Sequence, residues 1–282
     1  MAALKGDISV DGAVLEAFAW GDPRHPPVLI INGLGQSEML IGGAARHLSR
    51  RFYVVTWNSR NILSSHDFSA ESADFSVDRQ VLDAECVADA FGLQDPVLIG
   101  YSTGALVAAK ASLSSRFAAP LAILCNGHYA FGEEVAETPF QRDMRAVMPK
   151  IAATPSAAKF FARSIFNHNG IVDNAGGDFY DIVVQPMRDP TSLQRYAYYF
   201  NGFLQEDFAS WAGRVATSCQ MFAGAVDTVS HLAHSEKANE LLRRSTLRIQ
   251  PDGDHYMMCR DGSPMLQEIE ATLQTLFAVE SS

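Results

Sequence analysis

The chain lacks a long apolar run, has little cysteine, and is short of positive charge. No stretch of its 282 residues approaches the roughly 20 apolar residues that span a bilayer, so membrane insertion is not expected. The N-terminus, Met-Ala-Ala-Leu-Lys-Gly-Asp-Ile-Ser-Val, meets acid early and is followed by no apolar h-region, which argues against a signal peptide. Lys and Arg number 22 against 32 Asp and Glu, giving a net charge of −10. Nucleic-acid binding needs clustered positive charge to replace counterions, and this balance argues against it. The four cysteines, Cys86, Cys125, Cys219 and Cys259, are widely spaced and include no Cys-x-x-Cys pair. Each falls in or beside an apolar stretch, so buried free thiols in a reducing cytoplasm are expected. His231 and His234 are three apart, but no third metal ligand has suitable spacing. No dinucleotide fingerprint, internal repeat or low-complexity tract is present. No cofactor and no metal are therefore expected.

What is there is the balance of a soluble globular protein, 48% hydrophobic and 19% charged. The length suits one α/β core with an insertion. Residues 7–20 alternate weakly and turn at Asp11-Gly12, which predicts an opening hairpin. Residues 27–31, 52–57, 96–99 and 121–125 are short, continuous apolar runs, as expected for strands buried on both faces. Helices are predicted at 37–49, from Ser76 as cap to about Phe91, and from Thr103 to about Leu113. On the second of these, Val77, Val81, Ala84, Val87 and Phe91 share one face, and Gly92 stands where a C-cap glycine belongs. Alternating strand and helix indicate a mostly parallel sheet with helices on both faces. The alternation breaks after residue 127, turns mostly helical, and resumes with a strand at 218–223. An inserted helical cap at 128–211, in a core formed by 1–127 and 212–282, is the expected organisation.

Gly100-Tyr101-Ser102-Thr103-Gly104 carries the first chemical signal. A chain this long holds one Gly-x-Ser-x-Gly by chance about one time in ten, so the setting matters. Here the motif follows a strand at once and opens a helix, the context of a nucleophile elbow. Small residues two before and two after the serine let strand and helix approach, while the turn forces the serine into a strained conformation. A serine hydroxyl needs a base, and histidine has the suitable pKa. His255 follows a strand and a polar turn and precedes the final helix, so its loop can return to the sheet's carboxyl edge. Asp227 stands directly after strand 218–223, at the same edge. Asp252 and Asp254 compete with it but lie too close to His255 in sequence to orient its ring easily.

The order Ser102, Asp227, His255 resembles that of the α/β-hydrolase superfamily, and the chain looks like a capped member. The resemblance implies an α/β-hydrolase fold with these residues as catalytic triad. It implies an oxyanion hole from the backbone N–H groups of Thr103 and Leu34. Leu34 lies in Asn32-Gly33-Leu34-Gly35-Gln36, which resembles the family's His-Gly-x-Gly loop with Asn32 in place of histidine. Trp57 to Ser65 stands where the family has Asp-x-Arg-Gly-x-Gly-x-Ser. Arg60 and Ser65 match, whereas Asn58, Asn61 and Leu63 depart.

Residues 128–211 hold 15 of the 28 aromatic residues, among them Phe160, Phe161, Phe166, Phe179, Tyr180, Tyr196, Tyr198, Tyr199, Phe200 and Phe203. They supply a lobe core, and some are expected to line an apolar acyl or aromatic pocket. Gly33, Tyr101 and Phe200 are the expected substrate contacts. Arg142, Arg145, Lys150, Lys159 and Arg163 stand against one acid, Asp143. This reads as a solvated helix face, or as a receiving surface for an acyl carrier protein or coenzyme A. Hydrolysis of an apolar ester or thioester through an acyl-enzyme is the leading expectation. Alternatives are acyl transfer to an alcohol or amine from a carrier-bound or CoA donor, C–C bond cleavage of a diketone, and a non-catalytic ligand receptor.

Overall fold

A computed structural model describes residues 3–62, 74–167 and 179–280. Eight strands form one sheet: β1 (Leu4–Val10), β2 (Ala13–Trp20), β3 (Pro27–Ile31), β4 (Tyr53–Trp57), β5 (Val97–Tyr101), β6 (Ala122–Cys125), β7 (Cys219–Gly224) and β8 (Ser245–Gln250). Their spatial order is β1-β2-β4-β3-β5-β6-β7-β8. From β4 onward every neighbouring pair is parallel, while β1–β2 and β2–β4 are antiparallel. The opening hairpin turns at Asp11 and Gly12, both at positive φ. Paired positive φ values suit the twist of a two-residue hairpin loop, and Asp-Gly tolerates them.

Alternate residues of each central strand feed opposite layers. Leu29 and Ile31 join one apolar cluster with α2 (Val77–Ala90), α3 (Thr103–Ala111) and α10 (Leu232–Leu241). Val28 and Ile30 join the other with α1 (Glu38–Leu48) and α11 (Pro264–Glu280). Burial on both faces is why these strands read as unbroken apolar runs rather than alternating ones. Ser76 caps α2, its hydroxyl accepting from Arg79 N at 3.1 Å. No helix among the described residues is long and apolar enough to cross a membrane.

Between β6 and β7 the chain is helical: α4 (Pro139–Ala153), α5 (Pro155–Asn167), α6 (Tyr180–Val183), α7 (Gln185–Arg188), α8 (Pro190–Leu204) and α9 (Phe208–Ala212). Thr138 and Gln141 form a capping box at the start of α4. Met144, Met148, Ile151, Leu193, Tyr199 and Phe200 build a third apolar cluster, which also takes in Leu34 and Ile62 from loops of the sheet. The helical segment therefore packs directly on the carboxyl edge of β3 and β4.

The loop after β4 is held by charge. Arg60 donates to Asp83 through Nε at 2.8 Å and Nη2 at 2.5 Å, and Arg79 donates to the same carboxylate from one turn away. The side chains of Arg60 and Asp83 are 6% and 2% exposed. Asn58 accepts from Glu38 N at 2.8 Å and ties the loop to α1. Leu63 and Ser65 lie outside the described residues. Removing one partner of a buried ion pair leaves an uncompensated charge, at a cost of about 3–5 kcal/mol. Asp83→Ala is expected to lose that much in urea unfolding, and a loss below about 1 kcal/mol would contradict the burial of this cluster.

Candidate active site

Ser102 sits between β5 and α3 at φ 57°, ψ −125°. A non-glycine residue rarely adopts this region, and it persists only where the surroundings enforce it. Two close approaches enforce it here. A Cβ on Gly104 would stand 2.2 Å from Ile31 O, and one on Gly100 would stand 2.4 Å from Gly104 O. Ser102 N donates to Cys125 O at 2.9 Å, and Ser102 O accepts from His128 N at 3.2 Å. Ser102 is thereby tied to β6 on one side, while α3 is drawn under β3 on the other.

Three side chains from three strand ends meet at this turn. His255 Nε2 is 3.2 Å from Ser102 Oγ, and His255 Nδ1 is 2.7 Å from Asp227 Oδ2. The side chains of His255 and Asp227 are 5% and 2% exposed. Asp227 Oδ1 also accepts from Val229 N at 2.7 Å and Ser230 N at 2.8 Å, and Oδ2 accepts from Asn126 Nδ2 at 2.9 Å. The carboxylate is thus desolvated but saturated. Nδ1 of His255 faces a carboxylate oxygen, which only accepts, so in the neutral ring Nε2 is the acceptor toward Ser102. A hydroxyl held on an imidazole that is oriented by a buried carboxylate meets the geometric requirement for general-base activation. Asp254 is engaged elsewhere, in a fork with Arg260 at 2.6 and 2.7 Å.

The loop after β3 departs from expectation in one respect. Asn32 braces it as a histidine would, accepting from Gly33 N at 2.8 Å and donating to Ser37 O at 2.8 Å. Leu34 N–H, however, donates to Thr103 Oγ1 at 2.7 Å. That donor is therefore already engaged by the Thr103 side chain. Thr103 is the first residue of α3, so its own N–H has no intrahelical acceptor.

One cavity opens onto Ser102 and His255. Gly33, Tyr101 and Phe200 all line it, and so do Gln36, His128, Phe140, Gln141 and Tyr196. Tyr101 also braces His255, its hydroxyl donating to His255 O at 3.2 Å. Of the other aromatics singled out from sequence, Phe160 is 65% exposed, while Tyr199 and Phe203 are core residues. The side chain of Phe166 lies outside the described residues. Among the described lining residues none is Asp, Glu, Lys or Arg. The basic stretch on α4 and α5 is partly neutralised: Arg145 bridges Glu133 and Glu137, and Arg142 donates to Glu137 O.

Sequence reasoning missed Asn126, Gln36 and His128. Asn126 and His128 follow β6, which pairs with β5, so the strand order alone points to them. His128 is buried, and its ring packs edge-on against Phe203 and His234. Burial, then the neighbouring His234 and His255, hold its pKa well below the usual histidine range. His234 takes an amide proton from Gln141 Nε2 at 3.1 Å, since Gln141 Oε1 already accepts from Thr138 N and His231 N. His234 is therefore neutral, and its Nδ1 has no partner among the described residues.

A profile of the alpha/beta hydrolase family matches residues 28–270, and the chain belongs to that family. The chain is 24% identical over 245 residues to an L-allo-isoleucyltransferase from Pseudomonas savastanoi pv. glycinea, covering 83% of this chain and 82% of the relative. Its structure resembles a lipase-like protein from Acinetobacter baumannii AYE, with a TM-score of 0.75, 13% identity, and coverage of 98% and 93% of the two chains. It also resembles the enol-lactonase from Burkholderia xenovorans LB400, with a TM-score of 0.70, 15% identity, and coverage of 97% and 100%.

Burial pushes the pKa of His234 down to about 4. Between about pH 6.5 and 4 the unfolded chain therefore binds a proton that the folded chain refuses. This contribution to stability is complete above pH 6.5 and is lost as pH falls to 4, by roughly 3 kcal/mol. His234→Leu is expected to flatten the fall in urea-unfolding free energy between pH 7 and 4.5. An equally steep fall in the variant would contradict the assignment.

Proposed function

We propose that the protein is a serine hydrolase that cleaves an ester or thioester of an apolar acyl or aromatic acid through an acyl-enzyme on Ser102. The observation that carries this reading is the hydrogen-bonded series Ser102–His255–Asp227 at the floor of a cavity whose described lining holds no Asp, Glu, Lys or Arg. Ser102 Oγ bonds to the carbonyl carbon while its proton passes to His255 Nε2. Asp227, saturated with donors, keeps the imidazole in the tautomer that can accept. The tetrahedral centre then expels the alcohol or thiol, which takes the proton from His255. Water repeats the cycle in reverse and frees the acid. Residues 128–211 serve as the cap, and residues 1–127 and 212–282 as the core.

The developing oxyanion needs preorganised donors. Thr103 N–H is one. The second is read here as the Thr103 hydroxyl, which accepts from Leu34 and keeps its own proton to give, with Leu34 N–H behind it. This revises the direct role expected for Leu34 to a polarising one.

Transfer of the acyl group to an alcohol, amine or carrier thiol is the second reading. It is favoured by the transferase name of the 24% identical relative. The chemistry up to the acyl-enzyme is the same, and only the acceptor differs.

Wild-type protein with a p-nitrophenyl acyl ester is expected to give a burst and a matching acyl mass on Ser102. Ser102→Ala should show neither, and identical traces would sink the proposal. Thr103→Val is expected to lower kcat by about 10² with little change in KM, while Thr103→Ser keeps most activity. Equal rates in both Thr103 variants would return the second donor to Leu34. Product analysis with added alcohols and amines separates the two readings, since free acid alone excludes transfer.

A further inference from the structure

Gln36 ends the loop after β3, and His128 follows β6. Because β5 lies between those strands, the two side chains flank Ser102 from opposite sides. A Cβ on Gly33 would stand 3.4 Å from Ser102 Cβ and 3.8 Å from Gln36 Cγ, so one glycine separates Gln36 from the serine. Gln36 is 7% exposed. Its Nε2 donates to Val183 O at 3.4 Å. A carbonyl can only accept, so this contact fixes which end of the amide is which. Oε1 is left buried with no partner among the described residues.

A buried acceptor left unpaired is unusual, and where it lines a cavity beside a reactive group it asks for a donor from outside. The nature of that donor is limited by the lining. No described lining residue carries a carboxylate or a cation. An ammonium would therefore lose its hydration without gaining a counter-charge, and a carboxylate on the substrate would fare the same. A neutral O–H or N–H meets both conditions.

We propose that Gln36 Oε1 is a specificity-determining acceptor for a hydroxyl or amide N–H on the acyl group, so that the substrates are uncharged, donor-bearing acyl esters or thioesters. This rests on the acyl chemistry assigned to Ser102 and narrows it. Sites that hydrogen-bond a substrate group discriminate strongly against the analogue lacking it, because their own polar atom is then stranded.

The test uses methyl esters of 2-hydroxy, 3-hydroxy and N-acetylamino acids, each paired with the unsubstituted ester of equal chain length. The readout is the ratio of kcat/KM within each pair. Gln36→Leu is expected to lower the best wild-type ratio about tenfold. A fall of threefold or more upholds the proposal, and a smaller fall in every pair overturns it, as when water satisfies Oε1 instead. Gln36→Met serves if the leucine variant melts at a markedly lower temperature. Binding of the same pairs is measured by calorimetry on Ser102→Ala, with and without Gln36→Leu, and is judged by the same threefold criterion. If no ester is turned over yet the binding ratio changes, the chemistry at Ser102 fails and the Gln36 subsite stands. If Ser102 turns esters over with unchanged ratios, the subsite fails and the chemistry stands.

Discussion

Helix α3 begins so close beneath the ends of β3 and β5 that the carbonyls of Ile31 and Asn32 touch Gly104 where any other residue would place a Cβ. Most of the site depends on that approach. It forces Ser102 into positive φ, which lifts the hydroxyl above the sheet's carboxyl edge. It also brings Thr103 within 2.7 Å of Leu34 N, so the loop after β3 and the first turn of α3 are held in one register. A helix displaced by one methyl group would relax the serine and break this contact together. The strain is sustained because β5 is buried on both faces and cannot yield alone.

Electrostatics follow the same economy of placement. The residues of the site that hold charge are kept behind the imidazole, not in the cavity. Asp227 takes two backbone N–H groups, one side-chain amide and His255, so its burial leaves no lone pair aimed at the substrate. Asn126 does more than fill space: its amide also donates to Asp254 O, which joins the end of β6 to the loop that carries His255. Asp227, His255 and Asn126 thus follow adjacent strands, and the sheet fixes their spacing.

Much of this was legible in the sequence. Strands buried on both faces announce themselves as continuous β-branched runs, and Ser76, Asp11-Gly12 and the glycines around Ser102 each mark a local geometry that few residues satisfy. Ser102, Asp227 and His255, the residues singled out from sequence, all follow strands, and position after a strand can be read along the chain. Gln36, Asn126 and His128 stand after strands too. Gln36 and Asn126 lacked a reactive residue type, and the placement of all three comes from which strand lies beside which. The antiparallel pairing of β2 with β4 was equally hidden, since an edge strand carries the same pattern in either direction. The commitment of Leu34 N–H to Thr103 depends on one side-chain rotamer, a quantity that sequence periodicity does not contain.

The choice between water and another acceptor turns on what the cavity offers a second molecule. An acyl-enzyme on Ser102 would leave His255 Nε2 facing the cavity, and whichever nucleophile reaches it first takes the acyl group. The described lining offers polarity and no Asp, Glu, Lys or Arg, so it would exclude bulk water only by being filled. An acyl group that satisfied Gln36 Oε1 would also fill the space between that residue and Ser102, leaving less room there for a second molecule. A substrate lacking such a group would leave Oε1 stranded and lose that hydrogen bond. The side chain proposed to select the acyl group would thus also narrow which acceptors can reach it.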